Sequence, residues 1–72
     1  MSLDSTPDGQ EVVIHKLHCH SASLRQRLME LGLNVKTVVR KRSVAGGVIC
    51  EIGQARFALG RKVCRQIEVA LA

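Results

Sequence analysis

Three histidines and one cysteine lie within six positions near the start of the chain and are the residues best suited to chemistry. They are His15, His18, Cys19 and His20. Side chains two positions apart in a strand share a face, so His18 and His20 could chelate a divalent transition metal through two imidazoles. A closed tetrahedral site needs four ligands, and the sequence does not place Cys50 or Cys64 near this pair. A metal site and a pair of exposed histidines at a strand end therefore both stay open, and the second interpretation is favoured.

The acidic and nucleophilic residues do not form a catalytic set. The two aspartates both lie within the first eight residues and the four glutamates are scattered, which leaves no close pair for general acid–base work. Cys19 lies between two histidines, but adjacent residues of a strand point to opposite faces and cannot act together as nucleophile and base. No phosphate-binding loop is present, since Gly46-Gly47 predicts only a turn. The sequence therefore predicts a protein that is not an enzyme and that requires no cofactor.

Cysteine usage and short apolar runs predict a cytoplasmic protein. Three cysteines without C-x-x-C spacing do not make a disulfide framework and are typical of a reducing compartment. Cys50 alternates with Val48 and Ile52, which predicts a small buried side chain. The longest apolar runs span three to four residues, against the roughly 20 that cross a membrane, and the first ten residues lack the pattern of a secretory signal. We therefore expect no membrane insertion.

The charge balance is basic, with eleven Lys and Arg residues against six Asp and Glu residues and a net charge of +5. Such a surface favours acidic partners, either an acidic protein patch or nucleic acid. The candidates for partner binding are Arg25, Arg27 and Glu30 on the exposed face of a predicted helix, and Arg40, Lys41 and Arg42 at a strand end. A nucleic-acid-binding barrel is the weaker alternative, because Phe57 is the only aromatic residue and alternation assigns it to the core.

A small set of predicted elements must position these side chains. Residues 1–8 predict a flexible lead-in that ends in a turn, and residues 9–72 predict a single domain. Apolar alternation predicts five short strands, and residues 61–66 predict one helical turn. The strands span residues 10–18, 35–42, 48–52, 55–59 and 67–69, with a loop over 43–47 and a two-residue turn at Gly53-Gln54.

One helix over residues 24–31 is the best-defined element. Ser23 and Gln26 have the spacing of a capping box at its start, and Gly32 with Leu33 fits a left-handed cap at its end. Three leucines at i, i+4 and i+7 predict the buried face: Leu24, Leu28 and Leu31. Five short strands with one helix inserted after the first strand predict a mainly β fold, a small closed or half-closed barrel.

Two motifs are similar to those of the FeoA family of ferrous iron transport proteins. The helix segment from Leu24 to Leu33 resembles that family's R-L-x-x-L-G motif. The tail resembles its closing A-L-R-x-x-x-A-x-x-I-x-V motif at Ala58, Leu59, Cys64, Ile67 and Val69. Cys64 takes the position of a small alanine in that motif, so the resemblance implies a buried thiol there. The resemblance covers residues 9–70 and implies an SH3-like barrel with a helical insertion. The family usually has Pro-Gly where this chain has Val35-Lys36, so the turn before the second strand must be made differently.

The resemblance implies a non-enzymatic accessory role in bacterial ferrous iron uptake. The family is thought to act at the cytoplasmic face of a membrane permease that carries its own GTPase domain, by contact and not by chemistry. We therefore expect this chain to dock on such an Fe(II) permease at the inner membrane, as a monomer or a weak homodimer. The alternative is a small metal-responsive domain that binds Fe(II) or another divalent transition metal at His18 and His20. The resemblance also fits the related barrel appended to iron-dependent repressors.

Overall fold

A computed structural model describes all 72 residues and contains one sheet and two short helices. The elements in chain order are β1 (Glu11–Leu17), α1 (Ala22–Glu30), β2 (Val38–Val44), β3 (Gly47–Ile52), β4 (Ala55–Leu59), α2 (Arg61–Arg65) and β5 (Ile67–Leu71). The strands form one antiparallel sheet in the order β4-β3-β2-β1-β5, so β4 and β5 are its edges. This confirms the predicted mainly β fold with one helix inserted after the first strand. Neither helix is long and apolar enough to cross a membrane.

Alternating side chains on the inner face of the sheet form the core. Val12 and Ile14 of β1 are fully buried, as strand alternation predicts, and so are Val48 and Cys50 of β3. Thirteen buried residues form this cluster, and Phe57, the single aromatic residue, packs against it while staying half-buried. The core therefore consists of aliphatic and thiol side chains, which fill it without an aromatic ring at its centre.

The predicted burial of Cys50 and Cys64 is confirmed, since both side chains are inaccessible to solvent. Burial disfavours the charged thiolate and raises the pKa of Cys50 to about 12 and the pKa of Cys64 to about 11. Cys19 is also buried, and all three cysteines are free thiols. Cys50 and Cys64 therefore stay protonated at neutral pH and act as small packing groups.

Residues 1–8 pack on the sheet, which differs from the predicted flexible lead-in. The backbone N–H of Leu3 donates to the carbonyl of Ile67 (2.9 Å), and the N–H of Val69 donates to the carbonyl of Met1 (2.7 Å). Leu3 is fully buried within the core cluster. The segment thereby covers part of the outer edge of β5, whose backbone groups would otherwise be unpaired there. A single leucine in a polar segment has no periodicity, so no local pattern predicts this packing.

Helix α1 begins two residues earlier than predicted. Its N-cap is Ser21, whose Oγ accepts a hydrogen bond from the backbone N–H of Leu24 (3.2 Å). Ser23 lies inside the helix, so the predicted Ser23–Gln26 capping box is wrong. Both serines carry the hydroxyl that an N-cap requires, but the extended backbone of a cap occurs at Ser21, with φ −81° and ψ 120°.

The predicted end of α1 is confirmed. Gly32 has a φ of +96°, and its N–H donates to the carbonyl of Met29 (3.0 Å). The N–H of Leu33 donates to the carbonyl of Leu28 (2.9 Å), which completes a Schellman motif. Leu33 is fully buried, so the cap also anchors the end of the helix in the core.

One of the three leucines predicted to form the buried face of α1 is fully buried. Leu28 exposes 2% of its surface, Leu24 is half-buried and Leu31 exposes 44%. The prediction for Leu31 is wrong because Leu31 is the C-cap residue, where the chain leaves the helix and turns towards the sheet. The helix therefore keeps an apolar side chain at its surface.

Strand β2 begins three residues later than predicted, because residues 34–37 form a turn. The N–H of Thr37 donates to the carbonyl of Asn34 (3.0 Å), and the N–H of Lys36 donates to the carbonyl of Ile14 (2.8 Å). Lys36 has a φ of +76° and is the one non-glycine residue with positive φ. The motif that this chain resembles has glycine here, so Lys36 adopts a left-handed conformation without the residue that favours it.

The two hairpin turns are both two residues long. The loop predicted over residues 43–47 is shorter than expected, because Ser43 and Val44 already pair with Val48 and Gly47 in the sheet. The predicted turn at Gly53-Gln54 is confirmed, with a φ of +58° at Gly53. These tight turns fix the register of β2, β3 and β4.

Replacement of Lys36 by glycine is expected to stabilise the fold. A left-handed backbone costs an L-residue roughly 1–2 kcal/mol, and the greater unfolded-state entropy of glycine offsets part of the gain. Lys36→Gly should raise the free energy of unfolding by about 0.5–1 kcal/mol in urea denaturation. Lys36→Ala is the control, since it removes the same side chain but keeps Cβ. An equal gain from Lys36→Ala would contradict the backbone argument.

Two leucines of α1 are expected to differ sharply in their contribution to stability. Leu28→Ala should lower the free energy of unfolding by about 2–5 kcal/mol, because it opens a cavity in the core. Leu31→Ala should cost less than about 1 kcal/mol, because nearly half of that side chain is already exposed. Urea denaturation of both variants measures the difference, and equal losses would show that the two leucines are buried alike.

Candidate functional site

The two histidines predicted as metal ligands lie beyond the end of the first strand. Strand β1 ends at Leu17, so the strand geometry that would align His18 with His20 is lost. Nε2 of His18 lies 2.8 Å from Oε1 of Glu68, whose carboxylate accepts this hydrogen bond, and His20 is exposed. Nowhere in the chain do three or more His, Cys, Asp or Glu side chains group closely enough to hold a metal ion. The structure therefore gives His18 a carboxylate partner on β5, which the sequence did not indicate.

Nearly all of the carboxylates are engaged in ion pairs. The pairs are Asp4 with Arg61 (3.5 Å) and Arg65 (3.3 Å), Asp8 with Lys41 (3.6 Å), Glu11 with Arg40 (3.3 Å), Glu51 with Arg56 (3.6 Å) and Glu68 with His18 (2.8 Å). The hydrogen bond from His18 lowers the pKa of Glu68, which favours its ionised form. The remaining carboxylate, Glu30, accepts a hydrogen bond from the side chain of Gln26 (3.3 Å). The acidic residues therefore serve mainly to neutralise neighbouring cations.

The positive charge that remains is unpaired and exposed to partners. Five of the eleven Lys and Arg side chains take part in the ion pairs, which leaves six without an acidic partner. They are Lys16, Arg25, Arg27, Lys36, Arg42 and Lys62. With histidine counted as neutral, these six cations and the second arginine beside Asp4, less the charges of Glu30 and Glu68, make up the net charge of +5.

The predicted basic strand end divides into three different environments. Lys41 points inward and exposes 4% of its surface, with Nζ donating to the carbonyl of Asp4 (2.9 Å). Arg40 lies between Glu11 and Glu51 on the neighbouring strands and pairs with Glu11. Arg42 is exposed and unpaired. The prediction that Lys41 belongs to a surface patch is wrong. Successive residues of a strand alternate between its two faces, and Lys41 lies on the inner face, between the exposed Arg40 and Arg42.

A second set of hydrogen bonds, between Ser43 and Asp8, lies beside the contact that Lys41 makes with the N-terminal segment. The backbone N–H and the hydroxyl of Ser43 donate to the two carboxylate oxygens of Asp8 (3.1 and 3.0 Å). These bonds lower the pKa of Asp8, with a smaller effect from the charge of Lys41. Asp8 and the carbonyl of Asp4 together tie the N-terminal segment to β2, so the function of Lys41 is structural.

The candidate residues on α1 also have separate environments. Nη2 of Arg25 donates to the carbonyl of Cys19 (2.6 Å), so this guanidinium folds back onto the loop before the helix. Glu30 lies beside Gln26 on the exposed side of the helix. Arg27 makes no ion pair and lines an open groove between α1 and the end of β4. Of the three predicted side chains, Arg27 is therefore the one that borders an apolar surface.

The groove beside Arg27 is the most distinctive open surface of the chain. It has a volume of about 220 Å³, and six of its eight lining residues are hydrophobic. From α1, β4 and the start of α2 these are Leu24, Arg27, Leu28, Leu31, Ala58, Leu59, Gly60 and Val63. A larger hollow of about 350 Å³ lies over Val38 and Arg40, but its carboxylates, Glu11 and Glu51, are already paired with arginines. The groove could not be predicted, because the helix spacing placed Leu31 on the buried face of α1.

The chain matches a protein-family model and several solved structures. The model of the FeoA domain matches residues 1–71. A search of curated proteins finds no match. The crystal structure of an iron uptake regulatory protein (FeoA) is similar with a TM-score of 0.85 and 21% sequence identity, over 97% of this chain and 93% of that one.

Two further structures show how widely this fold is shared. The FeoA protein from Chlorobium tepidum has a TM-score of 0.88 and 19% identity, over 99% of this chain and 70% of that one. A manganese-dependent transcriptional repressor in complex with manganese has a TM-score of 0.89 and 17% identity, over 100% of this chain but 36% of that one. At these identities the likeness shows the fold alone.

The antiparallel five-stranded sheet with one inserted helix and a short helical turn before the last strand defines a small SH3-like domain. The FeoA domain, whose model matches residues 1–71, is a small accessory domain and is not known as an enzyme family. Since the family model spans nearly the whole chain, the protein belongs to the FeoA family, which is linked to ferrous iron transport.

Lys41 and Arg42 are expected to differ although they are adjacent cations. Lys41→Ala should lower the free energy of unfolding by about 1–3 kcal/mol, because it removes a buried donor and leaves the carbonyl of Asp4 without it. Arg42→Ala should change it by less than about 0.5 kcal/mol, because Arg42 is exposed and makes no ion pair. Thermal and urea denaturation measure both effects. A loss below about 0.5 kcal/mol for Lys41→Ala would contradict its structural assignment.

Proposed function

We propose that this protein is an accessory component of ferrous iron uptake that acts by docking on an Fe(II) permease carrying a GTPase domain, at the cytoplasmic side of the inner membrane. The observation that carries the proposal is the match to the FeoA domain over residues 1–71. Action by contact is supported by the arrangement of the side chains, since the carboxylates are tied in ion pairs and the buried thiols stay protonated.

A protein partner is a better fit to this surface than nucleic acid. Single-stranded nucleic acid is commonly bound on exposed aromatic rings, and Phe57, the single aromatic side chain, packs partly against the core. The exposed apolar surface beside Arg27 suits a protein interface, where apolar contacts at the centre are surrounded by charged groups at the rim. The six unpaired cations then favour a partner that presents carboxylates.

Recovery of the permease with the tagged protein from iron-starved bacterial cells is the expected outcome. After mild cross-linking, mass spectrometry should identify an Fe(II) permease with a GTPase domain among the proteins bound to the wild-type chain. The double variant Arg27→Glu, Arg42→Glu should recover it about tenfold less, because it reverses two unpaired charges. The double variant Arg56→Glu, Arg65→Glu is the matched control, because it reverses the same number of charges at exposed arginines that already have acidic partners. Absence of any permease from the wild-type sample would refute the proposal.

A further inference from the structure

We infer that the groove formed by α1, the end of β4 and the start of α2 is the docking site for an amphipathic segment of a partner protein, in which large apolar side chains are flanked by carboxylates. The identity of the partner as the permease rests on the proposed function, whereas the chemistry of the segment rests on the groove itself. Four observations carry the inference: the size of the groove, the exposed leucine in it, the unpaired arginine at its rim and the charge of the whole chain.

The size of the groove fits side chains of a protein segment. At about 220 Å³ it lies below the roughly 300–1,000 Å³ of pockets that enclose a small molecule. It is open to solvent, and its floor is made by the buried side chains of Leu28 and Leu59. A groove of this kind receives one or two apolar side chains from a segment that lies across it.

The exposed apolar wall of the groove comes from α1. Leu24, Leu28 and Leu31 follow the i, i+4, i+7 spacing of an apolar helix face, and Leu31 remains 44% exposed. On the opposite wall, Val63 of α2 is half-buried and Ala58 of β4 is exposed. An apolar stripe that continues from the core out to the surface is covered when a second amphipathic segment packs against it.

Arg27 is the residue from which we expect carboxylates in the partner segment. It is the one charged residue among those that line the groove, and it makes no ion pair within the chain. Its guanidinium can form two parallel hydrogen bonds with one carboxylate, which makes it selective for Asp or Glu next to an apolar surface. Five of the chain's six carboxylates lie beside other basic side chains and Glu30 accepts a hydrogen bond from Gln26, so Arg27 is available to a carboxylate of the partner.

A second copy of this chain is a poor occupant. Each copy carries a net charge of +5, and Glu30 is the one carboxylate that is not part of an ion pair. Two copies meeting at this groove would bring together many unpaired cations with one free carboxylate each, so charge repulsion opposes the contact. An acidic partner has the opposite effect, because its charge both attracts the chain and pairs with Arg27.

A displayed library of 16-residue amphipathic helices tests the inference without knowledge of the partner. The apolar face is fixed as leucine, and the polar positions are randomised among Glu, Lys and Ser. Selection on the wild-type chain should enrich Glu-rich peptides, and Leu31→Glu should weaken binding of the enriched peptides at least tenfold. Arg27→Glu should shift the enrichment from Glu-rich to Lys-rich peptides. Met29→Glu is the matched control, since Met29 lies on the same helix with 41% exposure but does not line the groove. Circular dichroism confirms that each variant folds.

Three results would overturn the inference. They are enrichment that does not depend on Leu31, enrichment of Lys-rich peptides by the wild-type chain, and a Leu31-dependent dimer in sedimentation velocity. Leu31-dependent binding to vesicles of equal parts phosphatidylglycerol and phosphatidylcholine, with no peptide selected, would assign the groove to the membrane and overturn it as well. The library and the co-purification fail separately: selected peptides without a recovered permease would leave the groove correct and the proposed partner wrong. If Leu31→Glu and Met29→Glu recover the permease equally, the proposed partner is correct and the groove is not its docking site.

Discussion

Burial of the sheet's inner face is the constraint on which the rest of the structure depends. In a chain of 72 residues with one aromatic side chain, every inward position must be filled by a small or aliphatic group. The sheet alone leaves this cluster open at its sides, so Leu28 and Leu33 from α1 and Leu3 from the N-terminal segment complete it. A short domain buries a small share of its surface. The loss of any one of these three leucine side chains therefore removes a large part of the contacts that stabilise the core.

The ion pairs follow from this compact arrangement. Strands β1, β2, β3 and β4 bring Glu11, Arg40, Glu51 and Arg56 into successive register, so that charges of opposite sign lie side by side across four strands. Such exposed pairs contribute little to stability, but they determine which charges remain available to a partner. Most carboxylates are therefore paired within the sheet and around the N-terminal segment. The six cations outside these pairs are exposed.

The fold by itself does not determine the ligand. This chain shares its fold with part of a manganese-dependent repressor at 17% identity, and a likeness at that level shows the fold and not what is bound. What differs between proteins that share a barrel is the chemistry of the surface. Here the surface offers an apolar groove with an arginine at its rim, a feature that suits contact with a protein segment more than coordination of an ion.

The sequence by itself determined the elements, because strand alternation, the helix period and the glycine cap at Gly32 are local properties of the chain. It also predicted the burial of Cys50, which alternates with Val48 and Ile52, and the resemblance to the family motif implied that of Cys64. Tertiary structure alone decided which polar residues are available: Lys41 is buried, His18 pairs with Glu68, and Leu3 enters the core. These outcomes depend on contacts between residues about 35 to 65 positions apart, which no local pattern records. The groove belongs to the same class, because its walls meet only when α1 and α2 lie beside the end of β4.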